Sequence, residues 1–374
     1  MSEFSASVAA RQRQAKGKKG RKIRRNPEKP IQKYRFYIQS FFLFLSLAIG
    51  VRFYFFIRFL ESGGETVFVS RPPGVDAYLP ISSMMSLYHF IKTGVIQQAH
   101  PAGLFIFLAI VLISLAIGKA FCSWICPVGM LSEWLGNLSE RLFGKIKLPK
   151  FLDYPLRSLK YLLLAFFVYS IFILMSDAAI SAFLGSPYNQ VADIKMYYFF
   201  ADISKTALIV ITVLFLGSIF IRNFWCRYLC PYGALLGIAG LLSPHKIRRT
   251  PESCIDCAKC AKACPSFIKV DKVETVWSDE CSSCLQCVDA CPVADTLEVK
   301  SLLTRRKIPK KKIAVAIVSL FLVITGIGMI TGNWQNTISK EQYLQHYEKL
   351  EQYGHPTSTS DVRSLNRDAA GQER

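Results

Sequence analysis

Twelve cysteines carry the most legible chemistry in this sequence, and all twelve fall into short motifs. Cys122 and Cys126 stand four apart in FCSWICPVGML, and Cys226 and Cys230 repeat that spacing in WCRYLCPYGALL. Cys254, Cys257, Cys260 and Cys264 form one dense run, CIDCAKCAKACP, and Cys281, Cys284, Cys287 and Cys291 form another, CSSCLQCVDACP. Two-residue gaps bring thiolates onto one ion or cluster far more readily than they set up a disulfide framework. The eight cysteines of the dense runs are therefore expected to ligate metal. Zinc suits them poorly, because its structural sites use paired C-x2-C units rather than four cysteines in twelve residues, repeated.

Each dense run reads C-x2-C-x2-C-x3-C-P, the run of bacterial two-cluster ferredoxins, in which the fourth cysteine ligates the other cluster. On that pattern Cys254, Cys257, Cys260 and Cys291 hold a first [4Fe-4S] cluster, and Cys281, Cys284, Cys287 and Cys264 hold a second. Such clusters carry electrons, with a potential tuned by burial, N–H bonds to sulfur and nearby charge. The Lys and Arg flanking the insert would ease reduction and could dock an acidic redox partner. The paired thiols leave several readings open. Residues i and i+4 share a helix face, so each pair could present two sulfurs in one direction. Pro127 and Pro231 sit where one helix stops and another starts, and Gly129 and Gly233 permit tight turning or close packing. The four sulfurs Cys122, Cys126, Cys226 and Cys230 could hold a further metal or cluster, or bind and reduce an ion such as copper. They could also cycle between dithiol and disulfide, or pack helices with no ligand at all.

These sulfurs must be positioned by apolar elements. The 374 residues are 51% hydrophobic yet carry a net charge of +20, the combination expected of a membrane protein with basic segments on one side. Five apolar segments, 37–60, 103–119, 160–175, 206–221 and 313–331, approach the roughly 20 residues that a spanning helix needs. Lipid offers free backbone groups no partner, so all five are read as helices. Basic residues crowd the N-terminus from Arg11 to Arg25, the segment after the second span and the segment between the fourth and fifth. That bias puts the N-terminus and the cysteine-rich insert on the cytoplasmic side of a bacterial inner membrane, and the C-terminus outside. The basic N-terminus is not a secretory signal; it reads as a topology signal touching anionic lipid, not as a nucleic-acid site.

Span, outer loop, span and C-x3-C-P occur twice in the same direction, as in a parallel repeat about the membrane normal, which would bring both thiol pairs together at the cytoplasmic surface. The expected fold is mainly α: a five-transmembrane-helix bundle built from a parallel internal repeat, with an inserted two-[4Fe-4S] bacterial-ferredoxin-like (α+β) domain. Its expected parts are a basic cytoplasmic tail (1–33), a four-helix membrane repeat with two C-x3-C-P motifs (34–245), the two-cluster insert (246–309), a fifth span (310–332) and a short outer tail (333–374). In that tail 339–353 is expected to be helical and the rest disordered. The loop after the first span is unusually apolar. Its residues 82–93 read as an interfacial helix, and Asp76, His89 and His100 could edge a quinone pocket. Arg52, inside the first span, is expected to snorkel to the outer interface.

FCSWICPVGMLSEWLG, FWCRYLCPYGALLG and the double ferredoxin run together resemble the membrane-bound polyferredoxins of the NapH/NosR/CcoG type, over about residues 34–309. The resemblance implies electron transfer at a respiratory membrane. NapH-type members pass electrons from quinol towards a periplasmic reductase. NosR-type members carry an outer flavin domain, and CcoG-type members carry a folded outer domain and are associated with copper reduction. Only about forty residues follow the fifth span, so neither outer domain is expected. The expected function is a membrane-bound iron–sulfur relay between the quinone pool, or a membrane partner, and a redox protein such as a reductase or dehydrogenase subunit. A quinol dehydrogenase subunit fits that reading. The alternatives are a copper reductase or cofactor-assembly factor using the paired thiols, and a structural membrane anchor for a soluble reductase.

Overall fold

The computed structural model describes residues 24–356 and 359–370. The basic run from Arg11 to Lys22 lies outside the described residues. Helices dominate, and each begins and ends for local reasons. α1 (Gln32–Glu61) is a 30-residue helix with a long apolar centre and charged residues towards both ends. α2 (Pro80–Thr93) starts on a proline and stops at Gly94, whose φ of 72° makes a left-handed cap. α3 (Pro101–Ile117) likewise starts on proline and ends at Gly118, φ 82°. α4 (Pro127–Phe143) follows the first thiol pair. α5 (Lys150–Tyr169) runs on through a π turn to Leu174. α6 (Asp177–Leu184) is capped by the Ser176 hydroxyl. α7 (Ala192–Ala201) and α8 (Lys205–Phe220) meet at an 80° bend. α9 (Pro231–Leu241) follows the second thiol pair.

The insert opens with β1 (His245–Arg249), contains the short helices α10 (Lys259–Ala263) and α11 (Gln286–Asp289), and closes with β2 (Leu297–Ser301). β1 and β2 pair antiparallel, with Ile247 opposite Val299. α12 (Lys310–Ile330) opens on three lysines and is apolar from Ile313 onward. α13 (Lys340–Glu348) carries a capping box from Ser339 and Gln342, and α14 (Thr359–Ala370) follows it.

Helices stand at all five expected spans, but they are not alike. α1, α5 with its π turn, and α12 are each long and apolar enough to cross a membrane, and the bent pair α7–α8 passes only when its two arms are taken together. α3 has 17 residues and is buried along most of its length. It packs against α12, α9 and α2, so neighbouring helices rather than lipid satisfy its surface. By contrast Phe41, Phe44, Leu162, Phe166, Ile209 and Val213 leave more than half of their surface exposed. Such apolar patches on α1, α5 and α8 mark the faces that meet a bilayer. Arg52 is exposed and donates to the Ser70 carbonyl at 3.2 Å.

The insert does not hang from the membrane helices on a tether. One buried cluster joins Phe42 of α1, Ile113 and Ile117 of α3, Trp124, and Ile313 and Ile317 of α12 to Ile247, Leu285, Val288 and Val299 of the insert. The last part of the supposed tail, from Arg24 to Ile31, is strapped to the insert as well. Asn26 N–H donates to the Pro292 carbonyl at 2.9 Å, and Ile31 N–H donates to the Asp289 carboxylate at 2.8 Å. The C-terminal segment also departs from expectation. Tyr343 of α13 is 3% exposed and packs edge-on against Phe56 of α1, while α14 rests on α6 and buries Val362. The helix expected within 339–353 is present as α13, whereas α14 stands where disorder was expected; sparse but well-spaced apolar residues hold both.

Candidate functional site

The two dense cysteine runs share one backbone. In the first, Asp256 and Ala258 flank Cys257 with φ of 55° and 54°; in the second, Ser283 and Leu285 flank Cys284 with φ of 50° and 61°. Two left-handed residues in each short loop, neither of them glycine, are costly and persist only where the surroundings over-determine them. Alternation of right- and left-handed residues turns successive N–H groups inward and makes the anion-binding nests that iron–sulfur sites use. The sulfurs divide into two neighbouring groups. Cys260 lies within electrostatic reach of Cys254 and Cys291, and Cys291 within reach of Cys257. Cys287 lies within reach of Cys264, Cys281 and Cys284, and also of Cys260, so the groups adjoin. Burial pushes the Cys260 thiol up to about 11 and the Cys281 thiol up to about 12, so metal must displace their protons at neutral pH. Among the described residues no three Cys, His, Asp or Glu side chains converge as a single ion requires. A cubane, which takes one thiolate at each of four separate irons, does not require that convergence. Donor chemistry and backbone thus both fit iron–sulfur clusters, which supply one-electron storage and transfer.

The paired thiols are brought together from distant parts of the chain. Cys122 lies within electrostatic reach of Cys126 and Cys230, and Cys226 within reach of Cys122, Cys126 and Cys230. Both motifs use the same local device. Cys126 and Cys230 are the N-cap residues of α4 and α9, with proline next in line. Gly233 N–H donates to the Cys230 sulfur at 3.3 Å, whereas the Cys126 side chain accepts no such cap bond. The glycines are required by space. A Cβ on Gly129 would stand 2.0 Å from the Cys122 carbonyl oxygen, and one on Gly233 would stand 3.0 Å from that of Cys226.

The first thiol loop docks directly on the second cluster loop. The Ser123 hydroxyl donates to the Ser282 carbonyl at 2.6 Å, and the Trp124 indole N–H donates to the Ser283 carbonyl at 3.1 Å. The Ser283 hydroxyl returns a bond to the Ile117 carbonyl at 2.8 Å. Cys122, Cys226 and Cys284 line one cavity, together with Lys119, Arg35 and Glu280. Buried charge surrounds it. Arg35, 5% exposed, grips Glu133 with both arms at 2.8 and 2.5 Å and also donates to the Ser123 carbonyl at 3.1 Å. Gln286 of α11 donates to the same Glu133 at 2.7 Å. Lys160, fully buried in α5, is bound to Glu280. The sequence reading singled out none of Lys119, Arg35, Glu133, Lys160 and Glu280. The one available signal was Lys119, a charge closing an apolar run three residues before a thiol.

The expected quinone residues separate. Asp76 and His100 are buried together, with His100 Nδ1 3.0 Å from Asp76 and 2.9 Å from Arg71. Arg71 in turn binds Asp193 at 2.5 Å, and His100 Nε2 donates to the Asn189 carbonyl at 2.5 Å. Their polar atoms thus serve one another and the neighbouring backbone. His89 is not part of this network; it lies half-buried on α2.

Comparison with known proteins bears on both sulfur sites. A family model described as a 4Fe-4S binding domain matches residues 99–146 and again 205–250, the stretches that hold the paired thiols. A second, described as a 4Fe-4S dicluster domain, matches residues 246–292. The putative electron transport protein YccM of Escherichia coli is 42% identical, over 91% of this chain and 96% of its own length. The methylamine utilization ferredoxin-type protein MauN of Methylorubrum extorquens is 30% identical, over 58% of this chain and 73% of its own length. The ferredoxin-type protein NapH of E. coli is 27% identical, over 41% of this chain and half of its own length. No solved structure matches. With cysteine loops shaped for iron–sulfur clusters, helices fit for a membrane and a relative matched almost end to end, this chain belongs to the NapH-type polyferredoxins, iron–sulfur electron-transport proteins of the membrane.

Proposed function

We infer that the chain is a relay of three iron–sulfur centres between a membrane redox component and a soluble partner. Cys254, Cys257, Cys260 and Cys291 hold the outermost [4Fe-4S] cluster. Cys264, Cys281, Cys284 and Cys287 hold the middle one. Cys122, Cys126, Cys226 and Cys230 hold a third centre at the membrane edge. The single observation that carries this order is the cavity shared by Cys122, Cys226 and Cys284, which sets the paired thiols against the middle group while that group adjoins the outer one. The exposed Cys257 end of the insert faces the soluble partner on the cytoplasmic side. The membrane end exchanges electrons with the quinone pool or an embedded partner, which makes the chain a quinol dehydrogenase subunit when quinol is the donor. Copper delivery to the paired thiols is disfavoured by Lys119 alone, whose ammonium faces the cavity and repels an incoming cation; Arg35 and Arg227 there are matched by Glu133 and Asp153.

Anaerobic purification with iron analysis and EPR of the reduced protein tests this reading. Three cubanes require about twelve iron atoms per chain, against about eight for the insert alone. Cys122→Ser and Cys226→Ser are expected to lower the content from about twelve to about eight while preserving the signals of the insert. A colourless, iron-free protein with its cysteines cross-linked would overturn the whole proposal.

A further inference from the structure

Four lysines are buried among the described residues: Lys119, Lys160, Lys246 and Lys310. Three of them have partners. Lys160 is bound to Glu280, Lys246 donates to the Gly240 and Leu241 carbonyls at 2.6 and 3.1 Å, and Lys310 meets Asp289 at 2.7 Å. Lys119 is 5% exposed, yet among the described residues its ammonium makes neither a hydrogen bond nor an ion pair. It faces the cavity lined by Cys122 and Cys226. It interacts electrostatically with Cys122, Cys226 and Cys230, and with Glu280, whose carboxylate is already committed to Lys160. A Cβ on Gly233, inside the second thiol motif, would stand 3.5 Å from its Nζ.

Asp279 is also within electrostatic reach of Lys119, but Lys160 already pairs with both Asp279 and Glu280, and a buried ammonium with no counter-charge in contact is unfavourable. The fold accepts it here because Gly118 turns the chain at φ 82° directly ahead of it and the backbone of Lys119 is clamped against α9, where a Cβ on Gly240 would lie 3.0 Å from its nitrogen. Protonated thiols and disulfides are neutral, and neither would compensate the charge. Four thiolates around an iron–sulfur core carry net negative charge and would.

Resting on the three-centre reading above, we propose that Lys119 is the fixed counter-charge of an anionic, thiolate-held iron–sulfur centre on Cys122, Cys126, Cys226 and Cys230, and that it holds that centre at a higher reduction potential than it would otherwise have. An electron arriving from a membrane donor adds one negative charge beside a fixed positive one, so the reduced form gains more than the oxidised form. The ligand class is thereby narrowed: the site takes an anionic cluster in preference to a free metal cation.

The test compares anaerobically purified wild type with Lys119→Met and Lys119→Arg, by iron content and by EPR-monitored redox titration. Cys122→Ser identifies which signal belongs to the third centre. In Lys119→Met the insert is expected to keep its about eight iron atoms, while the third centre either titrates at a more negative potential, with the other two unmoved, or is lost. Lys119→Arg is expected to retain both wild-type values. If Lys119→Met fails to accumulate, Lys119→Gln, neutral and polar, is read in its place. An unchanged third midpoint and iron content in the neutral variant overturns the role of the lysine, as does an arginine variant altered as much as the neutral one. Wild type holding only about eight iron atoms overturns the three-centre reading itself, and the lysine's role falls with it.

Discussion

Gly129 and Gly233 occupy the same place in two motifs, three residues past the second cysteine of each pair, but the space around them differs. The 2.0 Å approach of a Cβ at Gly129 to the Cys122 carbonyl cannot be relieved by a side-chain shift, because the obstacle is backbone. The 3.0 Å approach at Gly233 is tight, yet small adjustments relieve it. Gly129→Ala is therefore expected to cost about 1–3 kcal/mol, as overpacking does, and to displace Cys122 from the other three thiols. Gly233→Ala is expected to cost less. Thermal unfolding and iron analysis of the two variants check the asymmetry, and equal effects would contradict it. At this scale the cysteine motifs were readable in sequence, because ligand spacing is local and survives without a fold; the ligand sets they form belong to the proposal above. Lys119 was not, although it stands three residues from Cys122, because its meaning lies in what fails to pair with it. Asp76 and His100 were read as the edge of a quinone pocket, but Arg71 and Asp193 engage them in a closed network of mutual contacts instead.

Elements are held to one another by a few buried polar joints. Arg35 on α1, Glu133 on α4, the Ser123 carbonyl in the first thiol loop and Gln286 on α11 meet at one point. The joint locks a membrane helix, a thiol motif and a cluster loop in one register. Removing one partner of a buried ion pair leaves the other charge stranded, at about 3–5 kcal/mol, whereas replacing both with apolar residues is far milder. Arg35→Met is accordingly expected to destabilise the chain by about that amount and to open the 24–31 strap to protease. Arg35→Met/Glu133→Leu is expected to recover most of the loss. Denaturant unfolding of the single and double variants measures the coupling, and additive effects would show that the pair is not a unit. The apolar runs made α1, α3, α5, α8 and α12 readable in advance. The joint was not, because Arg35 and Glu133 are 98 residues apart and nothing local marks them as partners. α13 was expected as a helix but its docking was not, because Tyr343 acquires its partner only when α1 delivers Phe56, and α14 was missed because it buries little beyond Val362.

The whole molecule has two unlike ends. α1 and α12 both start beside the insert, where Lys310 binds Asp289 and the Lys29 carbonyl, and both run towards the end where Tyr343 and Tyr353 close over Phe56. The iron–sulfur end carries the density of positive charge. Lys145 reaches the Lys262 carbonyl there, and Arg248, Arg249 and the stretch Arg305 to Lys312 surround the insert. At the opposite end the cations are few and mostly spoken for: Arg58 binds Glu61, and Arg71 binds Asp76 and Asp193. Lys and Arg in short flanking loops set orientation because they resist translocation, so the iron–sulfur end is expected to stay in the cytoplasm and the α13–α14 end to cross. A reporter enzyme active only outside the cytoplasm, fused after residue 374, should therefore be active, and the same reporter placed between α4 and α5, beside Lys147, should be silent. Fluorescent protein fusions, which mature inside, should give the mirror image. The reverse pattern would place both cluster groups outside, away from any cytoplasmic donor or acceptor. It would also require the most basic surface of the molecule to have crossed the membrane against the rule that otherwise governs it, so a single pair of fusions decides on which side of the membrane the cysteine-rich end lies.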